Sequence, residues 1–511
     1  MIYIDSRRCG EGKTFDGLPN AKTYRGFVLA TWARIKQHYK WDDYCLVVLP
    51  SIKLCNYYRD GETVDVTNTT TGKVEQRVTV GLREWILEQS SHKFDSITDE
   101  RQRTETLNRN LGNQLAVLHS QVIGEDGKPI NVQAELHKAI EQKCSVIIIT
   151  QETFKNCDID SLNRQYYHLI IDEAIEPYRE QTIYHDKNCK VDFDLSNNLA
   201  IMEAPDTAVA WKQIQFDDIK GNALIDSGDL VTDLTHKNWR NRCLHTDSEK
   251  LLGIVPKTKA ITIIQELRAE IMEHWASIWV ACAAFEVTFM RYWLDRNKIA
   301  WRIHPQLEFV RHTTEVIVNG SDELIWSKHK KNNLPNIYSE FGVYAGNIIK
   351  NEPTLRLSNN GSPKLFENEV TMTHNIAGMN SYTDIKHISL ESALNPSPTM
   401  SKFLLDAHEE QFDGQTGDLI YQARTLYLYY QAAMRSCLRN DEPANIHILD
   451  KRALRGFDTF FANMNLGEEY KFTLPEKKKV GRKPTNESGI AMTSAERQRK
   501  RRALLKEQSN A

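Results

Sequence analysis

Close to the N-terminus a short apolar run, Ile2-Tyr3-Ile4, gives way to Gly10-Glu11-Gly12-Lys13-Thr14. This pattern restricts the fold strongly, because it asks for a buried strand, a tight loop and a helix start in immediate succession. The glycines let the backbone close around an anion, and the first-turn N–H groups and helix dipole favour negative charge. Lys13 neutralises β/γ-phosphate charge and Thr14 can hold Mg²⁺; Cys9, Gly10, Glu11 and Gly12 complete the expected nucleotide-binding loop. Taken alone, the same five residues also suit a plain surface turn, so the rest of the chain has to decide.

A sheet built around such a loop needs further strands whose C-terminal ends share its edge. Three continuous apolar runs of strand length follow. Cys45-Leu46-Val47-Val48-Leu49 ends in Pro50-Ser51, the run from Cys144 to Ile149 ends in Thr150-Gln151, and His168-Leu169-Ile170-Ile171 ends in Asp172-Glu173. Amphipathic sequence such as 133–142 lies between them, and this alternation predicts a parallel α/β sheet. At the strand ends Asp172 is suited to hold Mg²⁺ and Glu173 to activate a water. A hydroxyl or backbone amide at a strand end such as Pro50-Ser51 is well placed to touch a nucleic-acid phosphate, and a strand that simply ends in Pro-Ser would look the same.

Residues 59–80 read as an inserted hairpin, and 178–255 as an inserted β-rich region. His185, Cys189, His236, Cys243 and His245 fall in the latter, but their spacing matches no usual zinc pattern. A helix over 258–275, a strand over 279–284 and a helix over 287–296 are expected to close the first domain. The alternation then repeats, with a helix over 338–350, apolar runs at 354–360, 370–373 and 385–389, a long helix over 418–438 and a strand at 446–449. On that long helix Gln431, Arg435 and Arg439 stand at i, i+4 and i+8 and share one face, so both guanidiniums can reach one target. Arginine is the usual means of stabilising charge on a transferring phosphoryl group.

The length, 511 residues, allows two or three domains. No apolar run of about 18 residues exists to span a bilayer, and no basic n-region with an apolar h-region opens the chain. Nine scattered cysteines without a C-x-x-C pair fit a reducing cytoplasm rather than a disulfide framework. Net charge is only −3, yet from Glu476 onward eleven Lys/Arg face four Glu, so a basic arm sits on an acidic body. Thr493-Ser494-Ala495-Glu496 looks like a capping box opening a helix with Arg497, Arg499, Lys500, Arg501 and Arg502, downstream of an extended stretch holding Arg482. A linker and basic helix of this kind can order on DNA phosphates. A nuclear-import signal would have the same composition in a eukaryotic source.

The order of these motifs resembles that of superfamily 2 helicases, the DEAD-like motors built from two RecA-like domains. Residues 10–14 resemble motif I, Pro50-Ser51 motif Ia, Thr150-Gln151 the nucleic-acid contact before motif II, and Asp172-Glu173-Ala174-Ile175 motif II. Gly378 with Asn380 is similar to motif V, and the stretch from Gln431 to Arg439 to motif VI, though its second arginine stands one residue beyond the usual place. Ala283-Ala284 is the candidate for the link between ATP turnover and unwinding. The resemblance implies an α/β chain with RecA-like domains at 1–295 and 296–470, β-rich insertions, and a DNA-binding tail at 471–511. It implies ATP and Mg²⁺ as cofactors and Arg435, Arg439 and Gln431 acting at the nucleotide. It further implies a single strand of nucleic acid, DNA more than RNA, in the motor groove, with duplex possible at the tail and no membrane partner. The tail tilts the resemblance toward phage- or plasmid-type replication or recombination helicases. Alternatives are a packaging ATPase, a nucleotide-gated DNA-binding ATPase that does not unwind, and an RNA helicase.

Overall fold

The structure is a computed structural model that describes residues 1–6, 44–67, 74–80, 115–124, 127–158, 163–184, 199–202, 211–216, 236–244, 260–303, 308–327, 334–359, 361–372, 382–412 and 416–472, together with a few isolated positions. Residues Cys9 to Thr14, Gly378, Asn380 and the tail arginines and lysine lie outside the described residues.

The first sheet is wholly parallel. Its strands are β1 (Ile2–Asp5), β2 (Tyr44–Leu49), β3 (Leu115–Leu118), β4 (Val146–Thr150), β5 (Tyr167–Asp172), β6 (Ser277–Ala281) and β7 (Trp301–Ile303), in the spatial order β7-β1-β6-β5-β2-β4-β3. The apolar runs are continuous because both faces are covered. Leu46, Val48, Ile147, Ile149, Leu169 and Ile171 enter one core, while Cys45, Val47, Ile148 and Ile170 enter another on the opposite face. Parallel neighbours need crossovers, and one is the helix Val132–Glu141, capped by Asn131, whose side chain accepts from the Ala134 amide. The sheet extends through Trp301–Ile303, past the boundary expected at 295/296.

Between β5 and β6 the chain makes a five-stranded antiparallel sheet, ordered Tyr178–Tyr184, Ala260–Leu267, Trp239–Leu244, Trp211–Phe216, Leu199–Met202. The stretch expected as a helix over 258–275 therefore begins as a strand and ends in a 3₁₀ turn, Ala269–Met272. The β-branched run Ile261-Thr262-Ile263-Ile264 favours extended backbone, and Ala260 to Glu266 pairs in register with Tyr184 to Tyr178. A buried ion pair fixes this strand further: Glu266 binds Arg242 of its neighbour at 3.0 Å and Arg296 of the helix Phe289–Arg296 at 2.7 Å. Gly61–Thr67 and Val74–Val80 form a separate antiparallel pair.

The second sheet is also parallel: β8 (His312–Gly320), β9 (Thr354–Leu357), β10 (Glu369–Met372), β11 (His387–Leu390), β12 (Ala444–Ile448) and β13 (Phe461–Glu469), ordered β10-β9-β11-β12-β8-β13. The expected α/β class, with two parallel-sheet domains in tandem and a β-rich insertion, is thus the fold. The helix Pro398–Phe412 leaves the second sheet to pack on the first domain. Met400, Phe403 and Leu404 join the core of Ile264 and Phe289, and the His408 ring lies 2.9 Å from the Tyr178 hydroxyl. The long helix expected over 418–438 is broken into α-helix Thr416–Tyr421, a π-helical turn Gln422–Leu426 and α-helix Tyr427–Ala433. No helix among the described residues is long and apolar enough to cross a membrane.

Candidate nucleotide and nucleic-acid site

Strand register aligns the chemistry of the first domain along one edge. Asp5 opposes Ala281, and Ala281 opposes Asp172. Val48 opposes Ile171, which brings Leu49 level with Asp172, and Leu49 opposes Thr150. The C-terminal ends of β1, β6, β5, β2 and β4 therefore form a single row, the side on which open α/β sheets bind ligands. The chain leaves this row at Ser6, and the Gly10–Thr14 stretch follows in sequence. Ser6 is itself fixed there: its hydroxyl donates to Glu286 at 3.0 Å and accepts from the Phe285 amide at 3.1 Å.

Asp172, the last residue of β5, is buried, at 8% exposure. Glu173 turns out of the strand with φ +67°, a left-handed backbone that a residue with a Cβ rarely adopts. Its amide is held by the Ala281 carbonyl at 2.9 Å. The Gln151 side-chain amide donates to the carbonyls of both Asp172 and Glu173 at 3.1 Å, clamping the turn from the end of β4, across the intervening β2. These bonds secure an unfavourable backbone and aim the Glu173 carboxylate away from the sheet.

That carboxylate meets the second domain. Gln431 donates its amide to Glu173 Oε2 at 2.9 Å, and the Tyr427 hydroxyl donates to the same oxygen at 3.2 Å. Tyr427 also touches Cys282, just past β6, at 3.0 Å. Close by, Arg424 makes an ion pair with Glu176 at 3.4 Å. So two of the expected residues, Glu173 and Gln431, are brought together although they belong to different sheets.

Arg435 and Arg439 do not continue the face that carries Gln431. The helix ends at Ala433 with Met434 as its C-cap, Arg435 follows in a turn, and Arg439 lies in the 3₁₀ turn Cys437–Asn440, started by Ser436 accepting from the Leu438 amide. The i, i+4, i+8 spacing relied on one uninterrupted helix, and the Ser436 cap re-aims the backbone before the second arginine. Arg435 is buried and Arg439 half-buried.

Among the residues expected to meet nucleic acid, those at the ends of β2 and β4 share a groove. Pro50, Ser51, Thr150 and Gln151 line it with Ser120 and Lys155, around a volume of about 1040 Å³. Thr150 caps the helix Gln151–Asn156 by accepting from the Thr153 amide at 3.0 Å, and Ser51 accepts from the Leu54 amide at 3.3 Å. Both hydroxyls thus mark helix starts at the strand-end row, where backbone N–H groups favour phosphate.

Sequence reading missed Tyr427, Cys282 and Ser6. Tyr427 stands one helical turn before Gln431, a spacing that would have pointed to it once Gln431 was chosen; Cys282 and Ser6 carry no such local signal.

No protein-family model and no curated protein matches the chain. Among solved structures the chain is similar to one titled "XPD_APO", with 12% identity, TM-score 0.45, and 92% of this chain and 97% of that one covered. Another, "XPD_Helicase", has 10% identity and TM-score 0.44 over 92% and 96% of the two chains. A third, "Structure of S. tokodaii Xpd4", has 11% identity and TM-score 0.41 over 91% and 96%.

Proposed function

We propose that the chain is an ATP-dependent helicase or translocase acting on nucleic acid, DNA in preference to RNA, that hydrolyses ATP between its two sheet domains. The observation that carries this reading is the bond from Gln431 to Glu173, which joins a helix of one domain to a strand end of the other at 2.9 Å. In this reading the contact couples the two halves through the carboxylate that would handle the attacking water.

In this reading Gly10, Gly12 and the amides around them wrap the phosphates while Lys13 neutralises their charge. Thr14 and Asp172 would hold Mg²⁺, which when bound screens the phosphate oxygens and orients them. The donor set, a hydroxyl and a carboxylate, is all oxygen and suits this hard cation, which typically takes one or two carboxylates beside phosphate oxygens. Among the described residues no group of three or more His, Cys, Asp or Glu side chains is placed to hold a metal. Glu173 orients the attacking water and takes its proton. Arg435 and Arg439, although the helix end at Ala433 sets them off the face of Gln431, are the second-domain arginines that would serve the transferring phosphoryl once the site closes, and Gly378 with Asn380 links that domain to the strand. The strand's backbone lies in the groove of Pro50, Ser51 and Thr150. The basic residues Arg482, Arg497, Arg499, Lys500, Arg501 and Arg502 grip duplex phosphates, and they favour a role in replication, recombination or repair.

Strand displacement on DNA and RNA duplexes with each polarity of overhang, with and without ATP, tests the proposal. ATP-dependent release from one overhang polarity is the expected result, and it is lost in Lys13→Ala. ATP hydrolysis without displacement would instead assign a nucleotide-gated DNA-binding ATPase. No nucleic-acid-stimulated hydrolysis at all would overturn the proposal.

A further inference from the structure

We infer that Tyr427 is a positioning residue that holds the Glu173 carboxylate through its phenolic hydroxyl, an inference that rests on ATP hydrolysis at Glu173 as proposed above. Three groups surround that hydroxyl: Glu173 Oε2 at 3.2 Å, Gln431 Nε2 at 2.7 Å and Cys282 Sγ at 3.0 Å. A phenol has one proton to give and two lone pairs to fill. One assignment satisfies the three contacts of the hydroxyl, with the Cys282 thiol sharing its proton between the hydroxyl at 3.0 Å and the Ala283 carbonyl at 3.5 Å. The hydroxyl donates to Glu173 and accepts from the Gln431 amide and the Cys282 thiol, and the second Gln431 amide proton goes to the same carboxylate oxygen. Glu173 Oε2 thus receives two donors from the second domain, and Cys282 ties one of those donors back to the first sheet.

The ring supports this role separately from the hydroxyl. It packs against the core of the first domain and against the core of the second. The hydroxyl is therefore set in place by both halves together, and a relative movement of the halves must move it against Glu173. Ring and hydroxyl can be separated experimentally, because phenylalanine keeps the packing and removes only the polar contact.

The experiment uses the purified full-length chain and steady-state ATP hydrolysis in the presence of single-stranded DNA. Tyr427→Phe is expected to lower kcat roughly tenfold, the worth of one hydrogen bond to a charged group, while KM for ATP stays within about twofold and the melting temperature is unchanged. In a cycle with Gln431→Ala, the double variant falls by less than the product of the single losses, because both act on one oxygen. If Tyr427→Phe melts early, Cys282→Ser replaces it: this alters the third partner of the hydroxyl without touching the ring, and kcat changes about threefold at constant KM. Glu173→Gln is run beside these. Hydrolysis lost in Glu173→Gln together with parental kcat in Tyr427→Phe, or in Cys282→Ser where that stands in, overturns the positioning role and leaves the reading of the site intact. Hydrolysis retained in Glu173→Gln removes that reading and the inference with it.

Discussion

Replacing Gln431 by alanine removes the amide that spans the two domains. The bond it makes is 2.9 Å long and ends on a carboxylate. Bonds to charged groups contribute about 1.5–3 kcal/mol. Glu173 is half-buried rather than enclosed, so water can replace part of the loss and the lower figure applies. About 1.4 kcal/mol is tenfold in a rate, and Gln431→Ala should therefore lower kcat for DNA-stimulated ATP hydrolysis roughly tenfold. KM for ATP should move little, because the amide acts through Glu173. Gln431→Glu sharpens the test. It sets a second carboxylate against the first, a repulsion on the order of 4 kcal/mol at 4 Å and an effective dielectric of 20, and drives the halves apart. Its loss of kcat should exceed that of the alanine variant, with a matching loss of interdomain protection in hydrogen exchange around Tyr427–Ala433. Parental kcat in both variants would refute the coupling.

Other expectations follow from buried polar groups and from the tail. His408 is buried against Tyr178 and Tyr292, and burial lowers its pKa from 6.5 to about 4. The unfolded chain binds a proton below pH 6.5 that the native state refuses until about 4, so stability is full above 6.5 and falls as pH drops through this window, by about 3 kcal/mol in all. Urea unfolding of the parent and of His408→Gln at pH 7 and pH 5 should show a smaller acid loss in the variant. Glu266→Ala strands Arg242 and Arg296 beneath the insertion sheet and should cost about 3–5 kcal/mol in the same assay. Removing residues 473–511 should flatten the salt dependence of duplex DNA binding, by roughly 0.9 in log–log slope for each phosphate that the tail neutralises, while leaving ATP turnover on single strands in place.

The elements that can be read in sequence are those whose shape follows from local composition. The runs ending at Leu49, Thr150 and Asp172 are legible as strands because each is short and apolar through its centre, and the residues at and after their ends carry the chemistry. Ala260–Leu267 reads as helix because a short apolar run has the same pattern as a buried helix, and its strand partner Tyr178–Tyr184 is distant in sequence. The end of the helix at Ala433 is hidden for a different reason: no glycine or proline marks it, and the stop comes from Ser436 capping a new turn. The π-helical turn before it, Gln422–Leu426, has no compositional signal either. His312–Gly320 and Phe461–Glu469, two strands of the second sheet, also escape a sequence reading; the latter is mostly exposed and polar. For the site, sequence names Glu173 and Gln431 separately. Only the packing of two cores around Tyr427 brings them within hydrogen-bond reach.

Hydrolysis of ATP at Glu173 under control of nucleic acid is measured directly by turnover of the purified chain, with and without single-stranded DNA. DNA-stimulated hydrolysis in the parent that is lost in both Lys13→Ala and Glu173→Gln, each folded and still able to bind DNA, is the predicted result. Hydrolysis that persists in either variant, or that ignores DNA in the parent, would contradict it.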